Sequence, residues 1–364
     1  MENKIKIEID GTILEKYFDF CLNKSIESFC NSFSFSISQK TADLLEIQQY
    51  SVVQITIEKE LVFTGFVESI DITQNLDNYY LSISGRDKAS EILDSYIIPK
   101  QYKQNDFLKL ARLVLDDNGF NNIKVESDIK ILPKLIGNSF VAEKDSKIFN
   151  FLDNLAKTIQ VILVTNQNGD LLITREGVDL AVGSIDITNN QINIISSNLN
   201  VDSTETYRYI RIIGTQKQEQ TKKRFNQNVE FVDQKANTNK RLIVSLGSNS
   251  NKNRLEDIAN WYMAVKRGKG ARYTAEVRGF LTNINSGLLW KENTLILLKD
   301  DSNNINGCFL LQGVNYKVND SGSITTLFLC NVGSFTSFDN NPILSNSVSK
   351  FFKTFTGDLA SKYR

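Results

Sequence analysis

Histidine is missing from all 364 residues. Its absence removes Ser-His-Asp and Cys-His catalysis, histidine-ligated zinc and any imidazole proton shuttle, the commonest routes to acid–base chemistry near neutral pH. Cysteine is scarce: Cys21, Cys30, Cys308 and Cys330 show no CxxC spacing and lie in apolar stretches, as reduced, packed thiols do. No run of about 18 apolar residues occurs, and the opening MENKIKIEID is charged and alternating where a signal peptide is apolar. The expectation is a soluble protein made in a cytoplasm, without membrane insertion. No GxGxxG opens a helix, and neither a GxxxxGK[ST] loop nor EF-hand spacing is present, so no cofactor or metal is expected.

What is present is alternation. Lys4 to Ile9, Ser32 to Ile37 and Val53 to Ile57 each carry one apolar and one polar face, and Leu61 to Ile72 and Tyr79 to Gly85 continue the pattern. These short antiparallel strands predict a small barrel or sandwich over residues 1–98, ending near Pro99. The period then changes. Asn105 or Asp106 caps a helix carrying Phe107, Leu108, Ala111 and Val114, and Asp145 or Ser146 caps a second carrying Ile148, Phe149, Leu152 and Leu155. With strands Val161 to Thr165 and Leu171 to Thr174 these form an α/β module over 99–200, closed by the Asn/Ser-rich stretch Ser196 to Asn200. Strands resume over 201–340, interrupted by one amphipathic helix from Arg254 to Lys266 that Arg267-Gly268-Lys269-Gly270 terminates. Residues 341–364 form a tail.

A weak internal repeat carries more than any motif. Val52 to Ile57, Val62 to Val67 and Leu81 to Ser84 have a counterpart in Leu295 to Leu298, Phe309 to Val314 and Thr326 to Leu329, and Gly65 and Gly313 are paired as structural strand glycines. The fold class expected is mainly β with an α/β insertion: two similar β-barrel domains flanking a small α/β module.

Lys+Arg and Asp+Glu balance at 42 each, yet residues 1–98 hold 8 against 16 and residues 201–340 hold 19 against 13. An acidic and a basic β-domain in one chain are either two solvated surfaces or complementary faces between subunits, where the charge would set orientation more than affinity. The segment Lys217 to Arg241 is basic but poor in aromatic platforms, so a mobile loop is expected in place of a nucleic-acid site, and no sequence-specific nucleic acid is expected as a partner. Asp116-Asp117 and Asp300-Asp301 are flanked by turn residues and read as solvated, not as an acid–base pair. In the tail, Val348, Phe351, Phe352, Phe355 and Leu359 share one helical face among Lys350, Lys353, Lys362 and Arg364. The segment is too short to fold alone, and Phe351, Phe352, Phe355 and Leu359 are assigned to docking on a partner.

Several segments resemble one family in order and spacing. They are Lys24-Ser25-Ile26-Glu27 with Asn31 to Ser36, Leu61 to Val67, Ser84-Gly85-Arg86-Asp87-Lys88, Trp261 through Arg267, Val277-Arg278-Gly279-Phe280, and Gly287-Leu288-Leu289-Trp290 with Asn293. Together they resemble the baseplate hub proteins of contractile-tailed bacteriophages, the Mu-like hub family in particular. Lys24 stands where that family often has Arg and Phe280 where it often has Trp, and residues 99–200 match in pattern only. The resemblance implies a non-enzymatic homotrimer whose two tube-like β-domains per subunit form a pseudo-sixfold ring between a hexameric tail tube and a trimeric central spike. It places the protein in the virion tail baseplate, with assembly in the host cytoplasm. Its implied partners are the tail tube or a tube initiator, other baseplate proteins, and a spike. Type VI secretion spike proteins share the hub module but continue into a spike; only 24 residues follow the second β-domain here, so the spike is expected as a separate chain. The competing readings are a tail-associated cell-wall hydrolase, which needs a placed carboxylate pair and a cleft, and a host-surface-binding tail module.

Overall fold

The computed structural model describes residues 5–335 except 39–40, 42–46, 75–78, 136–138, 178, 188–192, 218–223, 235, 250–251, 269 and 283–286. The first strands follow the alternation. In β1 (Ile5–Ile9), β4 (Ser32–Ser38) and β5 (Val52–Ile57), the residues Ile7, Phe33, Phe35, Ile37, Val53 and Ile55 point into the core. Between β1 and β4 lie β2 (Thr12–Leu14) and β3 (Phe18–Ser25), neither of which alternation had marked. β5 turns through Glu58 and Lys59, both at positive φ as a tight two-residue hairpin requires, into β6 (Glu60–Gln74), and β7 (Tyr79–Asp87) follows.

The next segment has its own core. It comprises α1 (Ser90–Asp94), β8 (Gln101–Tyr102), α2 (Phe107–Asp117), β9 (Val125–Ser127), β10 (Phe140–Val141), α3 (Ile148–Thr158), β11 (Ile162–Thr165) and β12 (Leu171–Thr174). The Asp106 carboxylate accepts from Lys109 N at 3.1 Å and caps α2 as expected, whereas α3 starts after Lys147, with no side-chain cap from Asp145 or Ser146. Phe107, Leu110, Val114, Ile148, Leu152 and Ile173 meet beneath a sheet ordered β11-β12-β9.

The remaining strands are β13 (Asp179–Asp186), β14 (Ile194–Val201), β15 (Tyr209–Lys217), β16 (Arg224–Val232), β17 (Arg241–Asn249), β18 (Ala271–Arg278), β19 (Thr294–Asp300), β20 (Ile305–Asn319) and β21 (Gly322–Asn331), with α4 (Lys252–Gly268) before β18. Three expectations change. The polar stretch Ser196 to Asn200 does not close the α/β module but is part of an edge strand paired with β18, most of its residues exposed. The basic segment after Lys217 contains β16, held by nine residue pairs to β15, so the mobile-loop reading fails for Arg224–Val232. β15, β16 and β17 also leave the main sheet and pack Ile210, Ile212 and Val229 against Leu255, Ile258 and Ala259 of α4.

No closed barrel is formed among the described residues: apart from β15 to β17, the strands of both expected barrels run into one 13-stranded sheet, ordered β14-β18-β21-β20-β3-β4-β7-β6-β5-β1-β2 with β19 beside β20 and β13 beside β19. β3 makes the join. Its mixed sequence FDFCLNKS hides a strand that pairs with β4 on one edge and with β20 on the other, so one apolar core runs through both halves, from Ile5 to Leu329.

Within that sheet the two halves repeat. If β1 and β3 to β7 are numbered one to six, and likewise β13, β14 and β18 to β21, both lay their strands in the order 2-3-6-5-4-1. The fifth strand of each, β6 and β20, is 15 residues long and carries a bulge, at Glu68 and at Gln312. Ahead of the fourth strand of each unit a left-handed residue bonds to that fifth strand: Tyr50 (φ 68°) donates its N–H to the Val67 carbonyl at 2.7 Å, and Asn293 (φ 64°) to that of Leu311 at 2.8 Å. One difference is that β1 runs antiparallel to β5 while β13 runs parallel to β19. In this register Gly313 corresponds to Ser69 and Gly65 to Phe309, so the two glycines are not the equivalent positions that the sequence repeat implied.

Candidate assembly site at the junction of the two β units

β3 meets β20 over Phe20–Ser25 against Val318–Gly313, so Lys24 lies opposite Val314 and Leu22 opposite Tyr316. The bulged residue Gln312 presents its carbonyl to this join and accepts from Ile26 N at 2.9 Å and Ser25 Oγ at 3.2 Å. Gly313 is needed here because a Cβ would stand 3.0 Å from the Lys24 carbonyl and 3.2 Å from Ser25.

Lys24 is inward-facing and buried, and its Nζ lies 2.8 Å from Glu292 Oε1. Although burial pushes the Glu292 carboxyl up, the Lys24 ammonium and its hydrogen bond hold it below the ordinary carboxylate range. A buried pair of this kind ties together the segments that carry it, and either partner alone would be an uncompensated charge. Tyr316 donates its hydroxyl to the Trp290 carbonyl, which fixes the segment that carries Glu292.

Asn31 organises the other side. Its Oδ1 accepts from Ser25 N at 3.2 Å, its Nδ2 donates to Thr165 Oγ1 at 2.8 Å, and its backbone N–H donates to Asp87 Oδ2 at 2.8 Å. Thr165 also donates to Asp87. One asparagine thus joins β3, β7 and β11, and Lys88 Nζ adds a contact to Asp170 at 2.6 Å. Burial pushes the Asp87 carboxyl up to about 6, against the lowering effect of the Thr165 and Asn31 hydrogen bonds.

That shift has a sign. A carboxyl whose folded pKa lies above its ordinary value binds its proton more tightly in the native state, so its contribution to stability falls as pH rises from about 4 through about 6. We expect the fall to be on the order of 2 kcal/mol, and Asp87→Asn to remove it while keeping an acceptor for Asn31. Urea midpoints at intervals between pH 4.5 and 7.5 check this; parallel curves for the two proteins would assign the slope to other groups.

A cleft of about 360 Å³ opens at this junction, lined by Lys24, Asn31, Glu60, Thr165, Glu292 and Tyr316 among others. Of the carboxyls at this junction, Glu292 lines the cleft and is held ionised by Lys24, whereas Asp87, whose pKa is raised, is buried outside the lining. Asp300, expected to be solvated, is buried and accepts from Tyr273 Oη at 2.7 Å and from Asn303. Among the described residues no group of three or more His, Cys, Asp or Glu is placed to hold a metal, and no helix is long and apolar enough to cross a membrane. Phe351, Phe352, Phe355 and Leu359 lie outside the described residues. Phe335, the last described residue, has its N–H held by Glu176 Oε2 at 2.6 Å and its carbonyl by Trp261 Nε1 at 2.6 Å. Sequence reasoning missed Lys24, Glu292 and Asn31 as a site because their partners are remote in the chain; the inward position of a lysine beside Leu22 was the one local signal.

Comparison with known proteins gives this architecture a context. Residues 4–87 match the family model of the Mu phage baseplate assembly protein GpP-like, N-terminal domain. The baseplate hub protein gp44 of Escherichia phage Mu is 21% identical over 178 residues, covering 48% of this chain and 46% of that protein, so the match spans less than half of the relative's length. Among solved structures, the 43 kDa tail protein of prophage MuSo2 from Shewanella oneidensis has a TM-score of 0.77 at 19% identity, covering 91% of this chain and 99% of that one. A component of the E. coli type VI secretion system has a TM-score of 0.56 at 8% identity, covering 91% and 78%. At these identities the solved structures share the fold.

Proposed function

We propose that this chain, a phage baseplate and tail protein related to hub proteins and to type VI secretion spike proteins, is a trimeric, non-enzymatic adaptor between a hexameric tail tube and a trimeric spike carried on a separate chain. The observation that supports this reading is the repeated 2-3-6-5-4-1 strand order. Two like units per chain, taken three times, offer six similar surfaces on one side of a ring whose true symmetry is threefold, which is a direct way to join sixfold and threefold partners. The units proposed lie in 1–98 and 201–340, the second recruiting β13 and β14 from the end of the 99–200 module, and residues 341–364 form the tail. The acidic first unit and basic second unit set orientation between neighbouring chains. The pairing of Lys24 with Glu292 in the cleft favours joining over reaction. Phe351, Phe352, Phe355 and Leu359 are proposed to anchor the tail on a neighbouring baseplate protein.

Co-expression with the spike and tail-tube chains tests this. The expected result is a complex with both, formed in the cytoplasm, and release of no cell-wall fragments by the purified chain. Removing residues 344–364 should leave the melting temperature unchanged and abolish capture of a partner. Cleavage of cell wall, or binding to host-surface glycans with no affinity for tube or spike, would favour the hydrolase or receptor-binding alternatives.

A further inference from the structure

In unit two, Gly313–Val318 of β20 takes β3 along the edge that β19 leaves open. Aligned on the bulges, that stretch corresponds to Ser69–Gln74 of β6. Among the described residues no strand lies along the β5 side of β6 beyond Val67. The contrast in burial follows: Phe309 to Tyr316 are buried throughout, whereas Asp71, Ile72 and Gln74 are exposed, Ile72 by 61%.

The counterpart of β3 is β14, which ends the main sheet with an outer edge unpaired among the described residues. The ladders fix the correspondence. Leu22 pairs with Phe33, Phe33 with Gly85, and the neighbouring Ser84 with Ser69; Leu199 pairs with Tyr273, Tyr273 with Leu329, and the neighbouring Phe328 with Gly313. Leu199 is therefore the equivalent of Leu22, and each is followed by an asparagine. Within one chain β14 and β6 stand seven strands apart along the sheet.

We propose that β14 of one copy of this chain adds antiparallel to Ser69–Gln74 of β6 in a second copy, with Leu199 opposite Ile72 and Val201 opposite Ile70. The register carries its own support. It sets two apolar pairs on one face, covering Ile72 and Val201, which is 59% exposed, and polar pairs on the other, with Asn200 opposite Asp71 and Asn198 opposite Thr73. A slip by one residue would set Leu199 against Asp71 or Thr73 and lose both apolar pairs. Two unpaired edges of matched pattern are a standing invitation to strand addition. The contact is heterologous, β14 to β6, so successive copies close a ring if the rotation permits. Only the number of copies in that ring rests on the trimeric reading above.

The test is a disulfide in the full-length chain. Directly opposed residues hold their Cβ atoms about 4.5–5.5 Å apart, near the reach of a disulfide. Ile72→Cys with Leu199→Cys should link chains into a ladder on mild oxidation. Asp71→Cys with Leu199→Cys, whose side chains face opposite ways, should not exceed the background of the unmodified protein with its four native cysteines. Ile72→Lys should weaken association about tenfold or more with a melting temperature within a few degrees of the parent. A trimer that neither links nor responds to Ile72→Lys would overturn this junction and leave the trimeric reading standing. A linked ladder closing at another number would support the junction and overturn the trimer. Monomers that never link, alone or with the spike chain, would overturn both.

Discussion

Gly65→Val is expected to leave no cooperatively folded protein. Gly65 sits in β6 opposite Asp87, and a Cβ there would overlap the Arg86 carbonyl and lie 2.6 Å from the Phe63 ring and 2.7 Å from Asp87 Cα. Two of the three neighbours are β7 backbone, which cannot step aside without opening the β6–β7 ladder. Displacing β7 also displaces Asp87 from Asn31 and Thr165. The cost is on the order of 4–5 kcal/mol or more, the range reached when overpacking breaks a buried network, and it is comparable with the whole stability of a typical domain. Because the Cβ itself is at fault, Gly65→Ala should be severely destabilising too. Gly313→Ala meets its nearest neighbour at 3.0 Å and should cost about 1–2 kcal/mol. Urea unfolding of the two alanine variants separates the sites; equal, small losses would mean that β6 and β7 are not so closely apposed.

Lys24→Met carries the second large effect. Removing the ammonium strands the Glu292 carboxylate in a buried site with one oxygen, Oε2, already lacking a hydrogen bond. Breaking a buried pair from one side costs about 3–5 kcal/mol, whereas replacing both partners with apolar residues of similar volume is often neutral. The loss should therefore be greatest near neutral pH, shrink as acid protonates Glu292, and be largely recovered in Lys24→Met with Glu292→Leu. Denaturant midpoints of the single and double variants measure the coupling directly. Additive losses would show that the two residues act independently.

The parts of the fold that were legible in the sequence are those whose partners are near. Ser32 to Ile37 alternates because Phe33, Phe35 and Ile37 share one face, and Asp106 announces α2 because its cap is three residues away. β3 and β14 were illegible for the opposite reason. Asp19, Asn23 and Lys24 in one, and Ser196 to Asn198 in the other, break the apolar period, and what makes each a strand is a ladder to residues far along the chain. The repeat was visible in its strands, yet the bulges at Glu68 and Gln312 shift its register, so glycine matched to glycine misaligns it. The role of Lys24 was illegible because its partner Glu292, 2.8 Å away, lies 268 positions on in the chain.

The mass of the assembled particle in solution tests the central claim most directly. Native mass spectrometry of the full-length chain, alone and with its spike, should give a species of three 41.3 kDa copies; a chain that stays monomeric or dimeric under both conditions would contradict the threefold ring.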